Sequence, residues 1–330
     1  MQTVTMEDVA REAGVSRALV SLAYRDAYGV SVETREHILS VGKKLGYRPN
    51  RVAAQLAGKE QLTIGVFLQD LHNDLFADIH DGIREVTDAG GKHTVLAVGK
   101  IDGSKDVEAL ETLLENRVDI VIAAGLTLSD RALKKYLSRV KMVSVMRQVS
   151  GAISIVSDNY KGATEATEYL ISLGHRGIAF MANPPSDGYL DRTAGYLATM
   201  ETAGLEPLVV AGSYSRQETE VIARALLSDS KRPTAIFAHN DQAALGVLDA
   251  AFALGLEPGR DISVVGYDNT SLSKSPSSAL TTVDVHAFEL GRLAAEEALK
   301  QLAETEAELT TVTLEPTLVI RTSTGAPASA

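Results

Sequence analysis

From Leu62 onward the chain repeats one unit, a short apolar run with almost no polar alternation followed by an amphipathic helical stretch. LTIGVFLQ precedes FADIHDGIREVTDAG, KHTVLAVG precedes KDVEALETLLEN, VDIVIAAG precedes RALKKYLSR, and KMVSVM ends the series. A strand that is apolar on both faces must be covered on both faces, which a parallel sheet flanked by helices achieves. The order then recurs through ISIVSD, GATEATEYLISLG, GIAFMA, a helix near Thr193–Ala203, PLVVAG, ETEVIARALLS, TAIFAHN, DQAALGVLDAAFALG and ISVVGYD. The pattern predicts an α/β core of two doubly wound parallel sheets in tandem. LTTVDV, AFELGRLAAEEALKQLA and TTVTLEPTLVIRT read as a strand, a helix and two strands that complete both sheets by crossing back between the lobes. The expected N-lobe is about 61–158 plus 286–315, and the C-lobe about 159–285 plus 316–330.

The first sixty residues have another texture. Thr5 is placed to cap a helix whose Met6, Val9, Ala10 and Ala13 share one face, and Gly14 stops it. Ser16 is placed to cap a second helix with Val20, Ala23 and Tyr24 turned inward and Arg17, Ala18, Ser21, Leu22 and Arg25 largely outside. Helix, glycine, helix is a helix-turn-helix, whose second helix enters the DNA major groove, but on these residues alone a plain helical hairpin stays open. Ser31 begins a third helix with Ile38, Val41 and Leu45 on one face and Gly46 as its stop, so an all-α headpiece is expected over 1–48. After Tyr47-Arg48-Pro49-Asn50, the segment Arg51–Gly58 reads as a short helix inside a hinge and linker over 49–60, with the core over 61–330. Eight residues make a marginal helix in water, because nucleation costs more than so few bonds return.

The run DVAREAGVS followed by VS, then VS-ETRE-I, then GYRPNRVAAQLAGK resembles the headpiece and hinge of the LacI/GalR family of bacterial transcription regulators. The likeness extends through nearly the whole chain. The resemblance implies a headpiece followed by a bi-lobed, periplasmic-binding-protein-like core, and a homodimeric DNA-binding repressor. Its partners would be a near-palindromic double-stranded operator and a small effector, a sugar or polyol, in the interlobe cleft, which controls DNA binding allosterically. The alternatives weighed are a solute-binding protein for sugar uptake and an enzyme on a two-lobed fold.

Charge tests the first reading. A net charge of −11 disfavours DNA binding in bulk, but residues 1–60 carry nine Lys+Arg against seven Asp+Glu, while the remainder carries 23 against 36. Only the headpiece is mildly basic, so attraction to DNA must come from local contacts doubled by a dimer. Cysteine is absent, which excludes disulfides and thiolate metal sites. The N-terminal run lacks the apolar stretch of a signal peptide and no segment approaches a membrane span, so a cytoplasmic location and no membrane partner are expected. No G-x-G-x-x-G after a strand, no phosphate-binding lysine loop and no G-x-S-x-G occurs, and the seven His lack metal spacing. No catalytic residue, cofactor or metal is expected.

Arg17 donates bidentately to guanine in the expected docking, a contact worth about 1–3 kcal/mol of discrimination, while Ala18 and Leu22 offer apolar contact to a thymine methyl. In the resembling family these positions read the operator. Leu22 stands where Arg is usual, and Leu19 and Arg25 where Thr and Asn are often found, so the usual operator sequence is in doubt. Leu22 as a core residue is the competing reading. The resemblance also places Thr5, Ser16, Ser21, Ser31, Thr34, Tyr47 and Asn50 on backbone phosphates, although Thr5, Ser16 and Ser31 serve equally as helix caps. It further implies that paired hinge helices wedge Leu56 into the minor groove, with Ala53 and Ala54 leaving room, and that this helix orders or melts as the lobes move.

Candidate effector contacts sit at the expected strand ends: Asp70, Asn73 and Phe76 after the first strand, Arg147 after VSVM, Arg192 leading a helix, Tyr214 after VVAGS, and Asn240 and Asp268 in the second lobe. A sugar has apolar faces and hydroxyl edges, and these side chains supply charged or amide groups and an aromatic face. The resemblance assigns the same positions to the effector. His72-Asn73-Asp74-Leu75 stands where Ser-Asn-Pro-Phe is common, and Asp241 is expected to cap the DQAALG helix.

Overall fold

A computed structural model describes residues 4–24, 27–47, 62–183, 189–304 and 308–327, with the side chain of residue 189 left aside. The chain divides into two compact units, Met1–Gln61 and Leu62–Ala330. In the first, α1 (Met6–Ala13), α2 (Arg17–Tyr24) and α3 (Val32–Leu45) enclose a core of Val9, Ala10, Ala13, Val20, Ala23 and Ile38. Thr5 accepts from the Asp8 amide while the Asp8 carboxylate takes the Thr5 amide, a reciprocal cap that satisfies two otherwise orphaned donors. Gly14 stops α1 at φ +67, a left-handed conformation that costs glycine nothing. Ser31 caps α3 through the Thr34 amide. Val41 and Leu45 are half-buried against this core, and a Cβ on Gly42 would lie 1.7 Å from the Tyr24 hydroxyl, so this helix face accommodates the tyrosine only because it lacks a side chain there.

The second unit begins with β1 (Thr63–Leu68), α4 (Asp74–Ala89), β2 (His93–Val98), α5 (Asp106–Glu115), β3 (Ile120–Ala124), α6 (Asp130–Leu137), β4 (Lys141–Val145) and β5 (Ile153–Ser157). It continues with α7 (Asn159–Ser172), β6 (Ile178–Ala182), α8 (Tyr189–Thr202), β7 (Leu208–Ala211), α9 (Arg216–Leu227), β8 (Ala235–Ala238), α10 (Asp241–Ala253) and β9 (Ser263–Val265). The last elements are β10 (Thr282–Asp284), α11 (Ala287–Ala303), β11 (Thr311–Leu314) and β12 (Thr317–Val319).

One sheet runs β11-β5-β4-β3-β1-β2 and the other β7-β6-β8-β9, every pairing parallel. All five residues of β3 and all six of β1 are buried, as double-sided covering requires. The edge strands β2 and β7 differ: Leu96, Val98, Leu208 and Val209 are exposed, because no neighbour flanks them. The tail departs from expectation in one respect. Its strand β11 joins the first sheet beside β5, but β12 pairs antiparallel with β10 as a separate two-stranded ribbon instead of extending the second sheet. The helix expected near Thr193 starts at Tyr189, which places Arg192 inside its first turn.

The chain passes between the lobes three times, after β5, after β10 and after β11. Helix α11 packs on α4 at a crossing so close that a Cβ on Gly291 would sit 1.9 Å from the Ile79 carbonyl oxygen, and one on Gly82 would sit 1.9 Å from that of Phe288. No helix among the described residues is long and apolar enough to cross a membrane, and no cluster of three metal-ligating side chains occurs among them.

Candidate functional site: the recognition helix and the interlobe cleft

On α2, Arg17 and Ala18 are exposed, and Leu22 is half-buried yet outside the apolar cluster of the headpiece. The core-residue reading of Leu22 therefore lacks a packing partner in that cluster. Ser16 accepts from the Leu19 amide at 3.2 Å and caps α2, so Thr5, Ser16 and Ser31 all serve as caps. Thr34 meets the Ser31 hydroxyl at 2.8 Å, and Ser21 is half-buried. Tyr47 packs edge-on against Tyr24 with ring centres 5.3 Å apart, and burial raises both phenols. Arg25, Asn50, Ala53 and Leu56, with the expected hinge helix, lie outside the described residues.

In the second unit the carboxyl ends of the strands face one another across the lobe boundary. Arg192 is the centre of this region, with its side chain 4% exposed. Its Nε donates to Asn159 Oδ1 at 2.8 Å, one terminal nitrogen donates to the His239 carbonyl at 2.6 Å, and the other lies 3.6 Å from Asp268 Oδ1. The guanidinium carbon sits 3.7 Å from the centre of the Tyr267 ring, a cation-π contact. Burial pushes the Asp268 carboxyl up to about 7, with Arg192 pulling it down, Asp241 pushing it up and a hydrogen bond from Asn73 pulling it down. Burial also drives His239 well below its ordinary value, and the nearby guanidinium adds to this. The guanidinium therefore stands beside a carboxyl whose ionisation burial opposes and the guanidinium favours.

Backbone strain marks the same boundary. Met146 holds φ +73, Asp268 +107, Asn269 +56 and His286 +58, conformations that side chains rarely adopt and that cluster at functional sites. A small cavity lies between Met146, Ser157, Asn159, Arg192, Val285 and Leu290. Direct contacts also tie the lobes: Gln242 donates to the His72 carbonyl at 2.6 Å, and Ser271 donates to Asp74 at 2.5 Å, besides the bond from Asn73 to Asp268.

Several expected contacts fall elsewhere. Arg147 turns away from the cavity and donates to the Leu126 and Leu128 carbonyls and to Asp130, so it fastens the loop after β3, while its neighbour Met146 forms the cavity wall. Phe76 is 2% exposed within the core, its ring against Gly125. Asn240, not Asp241, caps α10 by accepting from the Ala243 amide at 2.9 Å. Asp241 is the next residue in, fully buried, and takes the Thr270 amide and the hydroxyls of Thr270 and Thr282. Its carboxyl rises to about 6 because burial outweighs those bonds. Asp70 accepts from the amide of His72 and pairs with its ring, Asn73 caps α4 as well as reaching Asp268, and Tyr214 is half-buried edge-on to His239.

Sequence reasoning missed Asn159, Ser157, Asn183 and Tyr267. Asn183 at the end of β6 is 1% exposed with neither amide atom hydrogen-bonded, and Tyr267 supplies the ring beneath Arg192. Their places near strand ends were the available signal: Ser157 closes β5 and Asn183 directly follows β6, while Asn159 and Tyr267 stand one residue further beyond β5 and β9.

Residues 5–50 match the family described as bacterial regulatory proteins, lacI family, and residues 167–324 match a periplasmic binding protein-like domain. The chain is 31% identical over 299 residues to catabolite control protein A of Priestia megaterium, covering 88% of this chain and 90% of that one. It superposes on a lac repressor dimer bound to operator and the anti-inducer ONPF with a TM-score of 0.84 at 33% identity, covering 98% of this chain and 100% of that one. It also superposes on a LacI family transcriptional regulator from Enterococcus faecium with bound ribose, with a TM-score of 0.73 at 26% identity, covering 80% and 99% of the two chains. These relatives are regulators, not enzymes. With a capped three-helix headpiece, two parallel-sheet lobes and relatives matching along most of its length, the chain belongs to the LacI/GalR family of bacterial transcription regulators.

Proposed function

We propose that this regulator is a cytoplasmic homodimeric repressor of a near-palindromic operator, switched by a neutral polyhydroxy effector, a sugar or polyol, in the cleft around Arg192. The observation that carries the effector class is a buried guanidinium already bonded to Asn159 and the His239 carbonyl and set beside the Asp268 carboxyl. Hydroxyl groups hydrogen-bond to the guanidinium and to the carboxyl in either protonation state, whereas a charged ligand brings a further ion into a buried site. The ribose held by the Enterococcus faecium regulator and the operator held by the lac repressor support the same assignment. Arg17, Ala18 and Leu22 would meet base edges, and Ser16, Ser21, Ser31, Thr34 and Tyr47 would hold the phosphates. Asn73, Arg192, Tyr214 and Asp268 would contact the effector, with Asn240 and Asp70 supporting the loops that carry them.

A ligand shifts the lobes only if it binds their two arrangements unequally. The test is a thermal-shift panel of sugars, polyols and nucleosides, in which a ligand at a hundred times its dissociation constant adds about 2.7 kcal/mol of stability. Arg192→Ala should abolish the shift produced by any hit while leaving a DNA mobility shift intact. A shift that survives the substitution would move the effector elsewhere, and equal affinity for operator and random DNA would remove the repressor reading.

A further inference from the structure

We infer that Ser157 and the apolar walls beside it form a subsite for one terminal hydroxymethyl group of the effector, and that this subsite sets which sugar or polyol the protein answers to. The inference rests on the sugar or polyol reading of the cleft. Ser157 closes β5, is 7% exposed, and has a buried hydroxyl with no hydrogen-bond partner. It lines the cavity with Met146, Val285 and Leu290 on the apolar side and Asn159 and Arg192 on the polar side.

The other polar groups there are already engaged. Asn159 accepts from Arg192 Nε at 2.8 Å and donates its amide to the Ser157 carbonyl at 3.2 Å. Arg192 spends its remaining nitrogens on the His239 carbonyl and on Asp268. Among the side chains lining the cavity, the Ser157 hydroxyl is the one left without a bond. A hydroxymethyl group suits a space that is apolar on one side and offers that hydroxyl on the other. Its carbon meets the Met146, Val285 and Leu290 side chains, and its hydroxyl bonds to Ser157, which is otherwise left buried and unsatisfied.

The test is titration calorimetry of the full chain with pairs that differ by that one hydroxyl: D-ribose and 5-deoxy-D-ribose, D-glucose and 6-deoxy-D-glucose, D-galactose and 6-deoxy-D-galactose. The wild-type chain should prefer the hydroxylated member of the binding pair by about fivefold to tenfold, and Ser157→Ala should bind both members alike. Because the deleted hydroxyl makes no bond in the fold, Ser157→Ala should melt no lower than the parent. Retention of the preference in Ser157→Ala overturns the subsite. So does an equal loss of affinity for both members with a lowered melting temperature, which is the signature of a merely structural serine. If no pair binds the parent chain, the effector class itself is wrong and the subsite falls with it.

Discussion

Replacing Arg192 by Met keeps the length of the buried stem and removes only the guanidinium. The loss comprises two charge-assisted hydrogen bonds, to Asn159 and the His239 carbonyl, the cation over Tyr267, and the counter-ion of Asp268. Removing one partner of a buried pair costs about 3–5 kcal/mol, because the other charge stays behind. At about 2–4 °C per kcal/mol for a unit of this size, the core transition should fall by roughly 10 °C above neutral pH. The pH dependence makes the test specific. Burial raises the Asp268 carboxyl from 3.8 to about 7, so between those values the folded chain holds a proton that the unfolded chain has released. The stability contributed by that group is complete below the unfolded value and is lost as the pH rises through about 7. Without the guanidinium the carboxyl should be harder still to ionise. The deficit of Arg192→Met should therefore be smaller at pH 5.5, where the carboxyl is neutral in both proteins and only the hydrogen bonds and the cation-π contact are lost, and should widen toward pH 8.5. Adding Asp268→Asn should recover most of the alkaline loss. Calorimetric scans of the four proteins across that range decide it: a deficit independent of pH, or a double variant no better than the single one, would refute the account of the pair.

Gly291→Ala should lower the melting temperature of the core, since a methyl group 1.9 Å from the Ile79 carbonyl forces two helices apart at a cost of about 1–3 kcal/mol or more. Gln242→Ala with Ser271→Ala removes two of the hydrogen bonds between the lobes and should widen the spin-label distance distribution across the cleft; an unchanged distribution would deny those bonds any part in closure. Arg17→Ala should relax selection at one base pair of each operator half-site by about 1–3 kcal/mol in a binding-site selection, and uniform weakening at every position would make it a phosphate contact instead.

The parts legible in the sequence were those set by local chemistry. Thr5, Gly14, Ser31 and Gly46 bound their helices as their spacing indicated, because a cap or a left-handed stop involves only neighbours. The apolar runs likewise marked the parallel strands, although β2 and β7 turned out to be half-exposed edges, since strand order depends on crossovers that a run of residues does not encode. The cleft was half legible. Arg192 and Asp268 come together, while Arg147 and Phe76, equally placed after strand ends, turn to a loop and to the core. A strand end says which residues approach the boundary, not which way a side chain rotates once packing neighbours compete for it. Ser157 was passed over for a related reason: many residues close apolar runs, and what singles this serine out is a hydroxyl without a partner.

Because the backbone threads the lobe boundary three times, the two halves are fastened side by side at several points and not strung on one swivel. Such an attachment suppresses independent tumbling and sliding, leaving opening and shutting, like a book about its spine, as the soft motion. A small molecule gripped at the page edges then has one angle to dictate, and every surface rigidly attached to either cover inherits that angle.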